Sequence, residues 1–153
     1  MATTHVLRTS TFLPLPIDEV FAFFGAAENL ERITPPELSF RIAEAPDEIT
    51  RGAFIRYRLG LFGVPFGWLT EITRWDPPHA FVDEQRRGPY ALWHHTHTFT
   101  ELAGGTRIDD EVRWRAPLGP LGTLAEPVIK WQVGRIFAYR KQAIRQILVG
   151  ERG

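Results

Sequence analysis

Residues 81–117 read Phe81-Val-Asp-Glu-Gln-Arg-Arg87, Gly88-Pro-Tyr90, Ala91-Leu-Trp-His-His-Thr-His-Thr-Phe-Thr-Glu-Leu102, Ala103-Gly-Gly-Thr106 and Arg107-Ile-Asp-Asp-Glu-Val-Arg-Trp-Arg-Ala-Pro117. This stretch contains three strand-like runs separated by two turn signals. Turn length fixes pairing, and pairing can be tested against side-chain alternation. Taking Gly104-Gly105 as a two-residue loop pairs Ala103 with Thr106, Phe99 with Asp110, His97 with Val112 and His95 with Trp114. Taking Gly88-Pro89-Tyr90 as a three-residue loop pairs Gln85 with Trp93, Asp83 with His95 and Phe81 with His97. The two registers put the same residues on one face: Phe81, Asp83, Gln85, Trp93, His95, His97, Phe99, Ile108, Asp110, Val112 and Trp114. The opposite face carries Val82, Glu84, Arg86, Thr96, Thr98, Thr100, Asp109, Glu111 and Arg113. The first face holds nearly all the large apolar groups and is expected to point inward.

An inner face of apolar residues alone would be plain core. This one also holds Asp83, Gln85, His95, His97 and Asp110. Buried polar groups are normally hydrogen-bonded, and a buried charge costs several kcal/mol unless paired. The register places Asp83 opposite His95 and His97 diagonal to Asp110, both within side-chain reach.

Upstream, His5 to Leu13 alternates and is expected to be the first strand. Pro14 and Pro16 end it. Pro16 to Gly25 then has the proline, the early acidic pair Asp18 and Glu19 and the terminal glycine of a short helix. Ala26 to Ile33 reads as a second short helix, closed by Thr34-Pro35-Pro36. Leu38–Ala45, Ala53–Leu61 and Val64–Trp75 read as strands, the last two joined by a hairpin tip at Phe62-Gly63. Their inner residues are expected to be Ala53, Ile55, Tyr57 and Leu59, then Phe66, Trp68, Thr70 and Ile72. Downstream, Pro117 to Gly122 breaks the chain. From Thr123 to Val149, Leu124, Val128, Trp131, Ile136, Phe137, Ala143, Ile144 and Ile147 recur at helical spacing. Pro127 is expected in the first turn of this helix, and Arg135, Arg140, Lys141 and Arg145 on its wet face.

The order is strand, two short helices, six strands and one long helix. A mostly antiparallel sheet curved around the last helix satisfies it, an α+β architecture with a cavity between sheet and helix. At 153 residues the chain is expected to be one domain, residues 1–153. Eighteen basic and eighteen acidic residues cancel, so the chain as a whole lacks the electrostatic footprint of a nucleic-acid binder, and the last helix is the place left for a local basic patch. There is no cysteine, which removes disulfides, thiolate nucleophiles and cysteine-ligated zinc. No run approaches the ~20 apolar residues of a membrane span, and the first residues lack an apolar signal core. A cytoplasmic location without stable membrane insertion is expected. Oligomeric state is left open.

Several of these features also resemble a known family. Phe81-x-Asp83-x-Gln85, Gly88-Pro89-Tyr90, Trp93-x-His95-x-His97-x-Phe99, Gly105-Thr106, Asp110-x-Val112 and Pro117-x-Gly119 resemble the SRPBCC (START-like, Bet v 1-like) superfamily. The branch is the polyketide cyclase/dehydrase-like one. The opening Phe12-x-Pro14-x-Pro16-x-Asp18-x-Val20-Phe21 and the closing Ile136-Phe137-x-Tyr139-Arg140 fit it as well. The resemblance covers essentially the whole chain. It implies a helix-grip fold: a seven-stranded antiparallel sheet around a long C-terminal helix, with two short helices after the first strand. It also implies an apolar ligand cavity, but no particular reaction.

The leading functional expectation is a carrier or sensor that binds a small hydrophobic molecule, lipid-like or aromatic. Its expected ligand contacts are Tyr57, Trp68, Thr70, Asp83, Gln85, Trp93, His95, His97, Asp110 and Trp114, with the aromatic members stacking on a flat ligand. The rival is a cyclase or dehydratase in which Asp83 orients His95 as acid–base, with His97 and Asp110 assisting. A third reading is a protein-interaction module, which an exposed apolar patch on the rim would favour. The strand pattern His95-x-His97 with Asp83 or Asp110 also matches a two-histidine, one-carboxylate metal site. Hydrogen bonding within the sheet is the reading adopted, with no metal and no cofactor. Gly60 to Gly67 lacks the strand-to-helix context of a phosphate loop and is expected to be a hairpin tip that acts as a lid.

Overall fold

The computed structural model describes residues 3–117 and 120–150. Its seven strands are β1 Thr4–Leu13, β2 Arg41–Glu44, β3 Phe54–Leu61, β4 Val64–Asp76, β5 Ala80–Arg87, β6 Leu92–Leu102 and β7 Gly105–Arg115. Two helices, α1 Ile17–Phe24 and α2 Asn29–Arg32, follow β1, and α3, Pro120–Leu148, follows β7. The strands form one antiparallel sheet in the order β1-β7-β6-β5-β4-β3-β2. This is the helix-grip fold, with the sheet curved around α3 and α1–α2 bracing one end.

The β5–β6 ladder has the expected register, Phe81 opposite His97 and Asp83 opposite His95. It stops at Glu84 opposite His94, so Gln85 and Trp93 are not a ladder pair. The β6–β7 ladder differs from expectation by two residues: Leu102 pairs with Gly105, His97 with Asp110, His95 with Val112 and Trp93 with Trp114. The loop residues are therefore Ala103 and Gly104. Only Gly104 has a positive φ, 82°. Gly105 lies in β7 for a different reason: a Cβ there would collide with the carbonyl oxygen of Leu13 at the end of β1. A shift of two preserves side-chain parity, so the inner-face assignment survives the wrong register.

Three other boundaries also depart from the sequence reading. The second helix is four residues long, and a 3-10 turn at Pro36–Leu38 delays β2 to Arg41. Ser39 leaves that turn with φ 49°, which reverses the chain before the strand can begin. At the other end, α3 starts at Pro120, so Pro127 sits inside the helix rather than in its first turn. There it removes one i→i−4 hydrogen bond. Leu118 and Gly119 of the expected break lie outside the described residues.

Two clusters fill the grip along its length. At the α1 end, Phe21 and Phe24 pack on Phe81, Phe99 and Ile144. Towards the other end, Trp68, Tyr90, Trp93 and Trp114 pack with Val133 and Phe137 of α3. A smaller cluster of Ile49, Ile55 and Ile72 lies beneath β3 and β4. The polar residues of the inner face lie between the first two.

Candidate functional site

Two turns and one helix place the polar group. The β5–β6 register brings Asp83 beside His95, and the β6–β7 register brings His97 beside Asp110. The short hydrogen bonds nevertheless run along the diagonals. His95 Nε2 donates to Asp110 Oδ1 at 2.7 Å, and His97 Nε2 donates to Asp83 Oδ2 at 2.6 Å. The two imidazoles stack with centroids 3.6 Å apart. Each ring thus bridges two strands, and each carboxylate is near both rings: Asp83 Oδ2 lies 3.6 Å from His95 Nδ1, and Asp110 Oδ1 lies 3.3 Å from His97 Nδ1.

Arg140 completes the group from α3. Its guanidinium donates to His97 Nδ1 at 3.3 Å and lies 3.9 Å from Asp110 Oδ1. The three hydrogen bonds His95–Asp110, His97–Asp83 and Arg140–His97 each have a donor and an acceptor when both imidazoles carry their proton on Nε2, an assignment made from the network. The sequence reading places Arg140 on the wet face, but it is only 8% exposed. The signal lies in the spacing: Val133, Phe137, Arg140 and Ile144 follow one helical stripe, and all four are buried. An arginine on an apolar stripe has to meet a carboxylate, and the inner face supplies two. Phe24 and Phe137 flank the guanidinium, 5.4 and 5.9 Å from its carbon.

Burial alone would raise both carboxyl pKa values. For Asp83, the adjacent His95 ring, which charges only in acid, the hydrogen bond from His97 and the charge of Arg140 outweigh burial, so its pKa lies below the usual range. For Asp110, the hydrogen bond from His95, the adjacent His97 ring and the Arg140 charge hold it well below that range. Burial and the neighbouring His97 push His95 down to about 4, against the opposite pull of Asp83 and Asp110. His95 is therefore a neutral hydrogen-bonding ring at pH 7.

Beside this group lies an apolar cavity of about 120 Å³. Tyr57, Trp68, Thr70, Asp83, Trp93, His95 and His97 of the expected set line it, together with Phe137 and Arg140. Asp110 lies behind the histidines and is not on the wall. Two expected residues are elsewhere. Gln85 uses both ends of its amide on Tyr90, donating to its carbonyl at 2.7 Å and accepting from its N–H at 3.0 Å. It clamps the β5–β6 turn, a task for which a long amide shortly before a Gly-Pro is suited. Trp114 is fully buried in the core and stacks on His5 at 4.4 Å. On the cavity wall, the Tyr57 hydroxyl is 3.1 Å from Thr70 Oγ1, and burial with the Asp83 charge raises its pKa.

Asp83, His95 and His97 each offer a donor atom within 4.8 Å of the others, the geometric minimum for a cation site. Those atoms are already engaged in hydrogen bonds. The guanidinium of Arg140 supplies the positive charge that the carboxylates require, and it would repel a second cation at that position.

The arrangement can do two things chemically. It presents a cavity with an aromatic wall to an apolar ring. It also holds two ionised carboxylates, a neutral imidazole and a guanidinium at fixed positions on one side of that cavity.

Comparison with solved structures supports the architecture. The Zhui aromatase/cyclase from Streptomyces sp. R1128 superposes with a TM-score of 0.74 at 16% identity, covering 97% of this chain and 98% of that one. A protein from Thermus thermophilus gives 0.72 at 17% identity, covering 94% and 99%. Truncated norcoclaurine synthase from Thalictrum flavum gives 0.71 at 14%, covering 97% and 95%. At these identities the likeness concerns the fold. No curated protein matches the sequence. The family model described as polyketide cyclase/dehydrase and lipid transport matches residues 13–137, from the end of β1 to the middle of α3. With most of the chain matched and the helix grip in place, the protein belongs to the polyketide cyclase/dehydrase and lipid transport family, within the SRPBCC superfamily.

Proposed function

We propose that this chain is a single ligand-binding domain, residues 1–153, that holds a small hydrophobic molecule in the cavity between sheet and α3. The observation that carries this reading is the cavity itself: apolar, aromatic-walled and bordered on one side by fixed polar groups. Binding sites are commonly built this way, with an apolar lining for affinity and a few placed polar groups for orientation. Its size sets the ligand class. An engineered apolar cavity of ~150 Å³ takes up benzene, so about 120 Å³ admits one aromatic ring without rearrangement. A long acyl chain or a fused polyketide would require the aromatic wall to move.

The test is native mass spectrometry of freshly purified protein, followed by denaturing extraction and calorimetric titration with single-ring compounds. A co-purified or titratable ring compound is the expected result. A protein that carries nothing and takes up no ring compound would overturn the reading.

A second reading is favoured by one observation: Asp83 Oδ2 and His97 Nε2 are 2.6 Å apart on the cavity wall. Such a pair orients an imidazole for proton transfer in a cyclase or dehydratase. It would make His97, rather than His95, the ring paired most closely with Asp83. Turnover of the bound compound by wild type, lost in both His95→Ala and His97→Ala, would establish it. An unchanged ligand after prolonged incubation would leave the carrier reading alone.

A further inference from the structure

Asp83 uses only one of its two carboxylate oxygens on protein groups. His97 Nε2–H donates to Oδ2 at 2.6 Å, and His95 Nδ1 also lies nearest Oδ2, at 3.6 Å. Oδ1 has no hydrogen-bond partner among the described residues. It is not sealed either. The buried side-chain atoms without a partner are His5 Nε2, Trp68 Nε1, Glu126 Oε1 and Arg140 Nε among the described residues, and these have no surface that a ligand could touch. Oδ1 is unpartnered yet is not one of them, so it keeps accessible surface. The Asp83 side chain as a whole is 17% exposed. That surface faces the cavity. Asp83 lies on the inner face of β5, its ladder partners Ile72 and His95 are 2% and 3% exposed, and Asp83 itself borders the cavity. With Oδ2 turned to the histidines, Oδ1 is the oxygen left for a bound molecule.

We propose that Asp83 Oδ1 is the specificity-determining acceptor of this cavity, and that the ligand is a neutral single-ring compound bearing a hydroxyl that donates to it. This rests on the ligand-binding reading above and names the class of molecule. Asp83 is ionised at neutral pH, and an ionised carboxylate accepts but cannot donate. Its complement is therefore an O–H or N–H group. A ring without one strips water from Oδ1 and returns nothing for it. Charge narrows the choice of donor. An anionic ligand would set a second negative charge against Asp83. An ammonium group would have to shed its water and sit near the guanidinium of Arg140, which borders the same cavity and already acts on Asp83. A hydroxyl brings a donor without a charge. Tyr57, Trp68, Trp93 and Phe137 supply the aromatic surface for the ring that carries it.

The experiment is isothermal titration of the full chain at neutral pH with phenol, toluene, benzaldehyde and benzylamine. Toluene matches phenol in size and lacks the hydroxyl. Benzaldehyde accepts but does not donate, and benzylamine carries an ammonium group. Phenol is expected to bind about ten- to a hundredfold more tightly than toluene or benzaldehyde, the range for a hydrogen bond to a charged acceptor, and more tightly than benzylamine. Asp83→Asn tests the atom. His97 Nε2–H claims the amide oxygen, which turns the NH2 group towards the cavity and replaces an acceptor by a donor. In this variant the preference for phenol over benzaldehyde is expected to fall about tenfold or more, with toluene within about threefold of wild type. Equal weakening of all four probes would overturn the proposal and make Asp83 a structural residue. If Asp83→Asn fails to fold, as judged by circular dichroism, the four probes on the wild-type protein decide alone. Phenol no tighter than toluene, or benzaldehyde equal to phenol, would overturn this proposal and leave cavity binding intact. Benzylamine tighter than phenol would overturn the neutral-ligand assignment. No binding by any of the four would overturn both this proposal and the reading on which it rests.

Discussion

The two halves of α3 carry the same kind of apolar spacing and meet opposite fates. Leu121, Leu124, Val128 and Trp131 recur at intervals of three and four, as do Val133, Phe137, Arg140 and Ile144. The second set is buried against the sheet. The first set faces outward, with Leu124 80% and Trp131 66% exposed. Periodicity identifies a helix, but it does not say which stripe the sheet will cover. The informative member is the one that breaks the pattern. A charged residue on the covered stripe, Arg140, meets the two inner carboxylates. The uninterrupted apolar stripe of the first half stays more than half exposed at every position.

Breaking the covered half is expected to cost the most. Phe137 bridges Trp93 and His95 and touches the guanidinium of Arg140. Phe137→Ala should destabilise the protein by about 3–5 kcal/mol in urea unfolding, from lost burial and the void left behind. A loss under about 1 kcal/mol would mean that the cavity simply enlarges at no cost. Arg140→Met keeps most of the packing and removes the charge. It leaves Asp110 and Asp83 without their cation and should cost about 3 kcal/mol, at the low end for breaking a buried ion pair because Asp83 retains some solvent contact. An Arg140→Met protein as stable as wild type would show that the histidines alone satisfy both carboxylates.

The same half should also make stability depend on pH. Unfolded His95 takes up its proton near pH 6.5, whereas in the fold it does so only near about 4. Between these values the unfolded chain binds more protons, so stability falls as pH falls. The loss should begin near pH 6.5, be largely complete near pH 4 and amount to roughly 2–3 kcal/mol. Further acidification protonates Asp83 and Asp110, whose low folded pKa values add a second loss below about pH 4. Urea midpoints at about pH 7, 5.5 and 4.5 check this. A flat profile over that window would mean that His95 charges without resistance inside the fold.

The sheet is legible in the sequence because its evidence is redundant. Phe81, Trp93, Phe99, Ile108 and Trp114 alternate with charged and threonine residues, and two separate turns agree on one inner face. That redundancy tolerates an error: the Gly104-Gly105 pair reads as the turn, although Gly105 is glycine to clear Leu13. The site is half legible. Asp83, His95, His97 and Asp110 follow from parity, but their diagonal pairing does not. It depends on ring orientation and on a register two residues away from the expected one. Gln85 has the right parity and the wrong environment, since a side chain can fold back on its own turn. Arg140 escapes the sequence reading because a basic residue in a helix is weighed there by its charge and not by its place on the stripe. The exposure of Trp131 depends on how far α3 extends beyond the sheet, which spacing does not encode.

The smallest expected effect sharpens the comparison most. Trp131 is exposed, and the described residues from Leu121 to Trp131 include one exposed charged side chain, Lys130. If this half of α3 faces water, Trp131→Ser should change stability by no more than about 0.5 kcal/mol, as exposed substitutions do. The sedimentation coefficient and the elution volume should stay the same. A cost above about 1 kcal/mol, or a stability that rises with protein concentration only in wild type, would mean that a second surface covers the stripe in solution. The contrast between the halves of α3 would then be one of partner rather than of exposure: the sheet would cover one stripe and another surface the other. Measuring the variant at two protein concentrations separates the outcomes, because burial within one chain does not depend on concentration and burial between chains does.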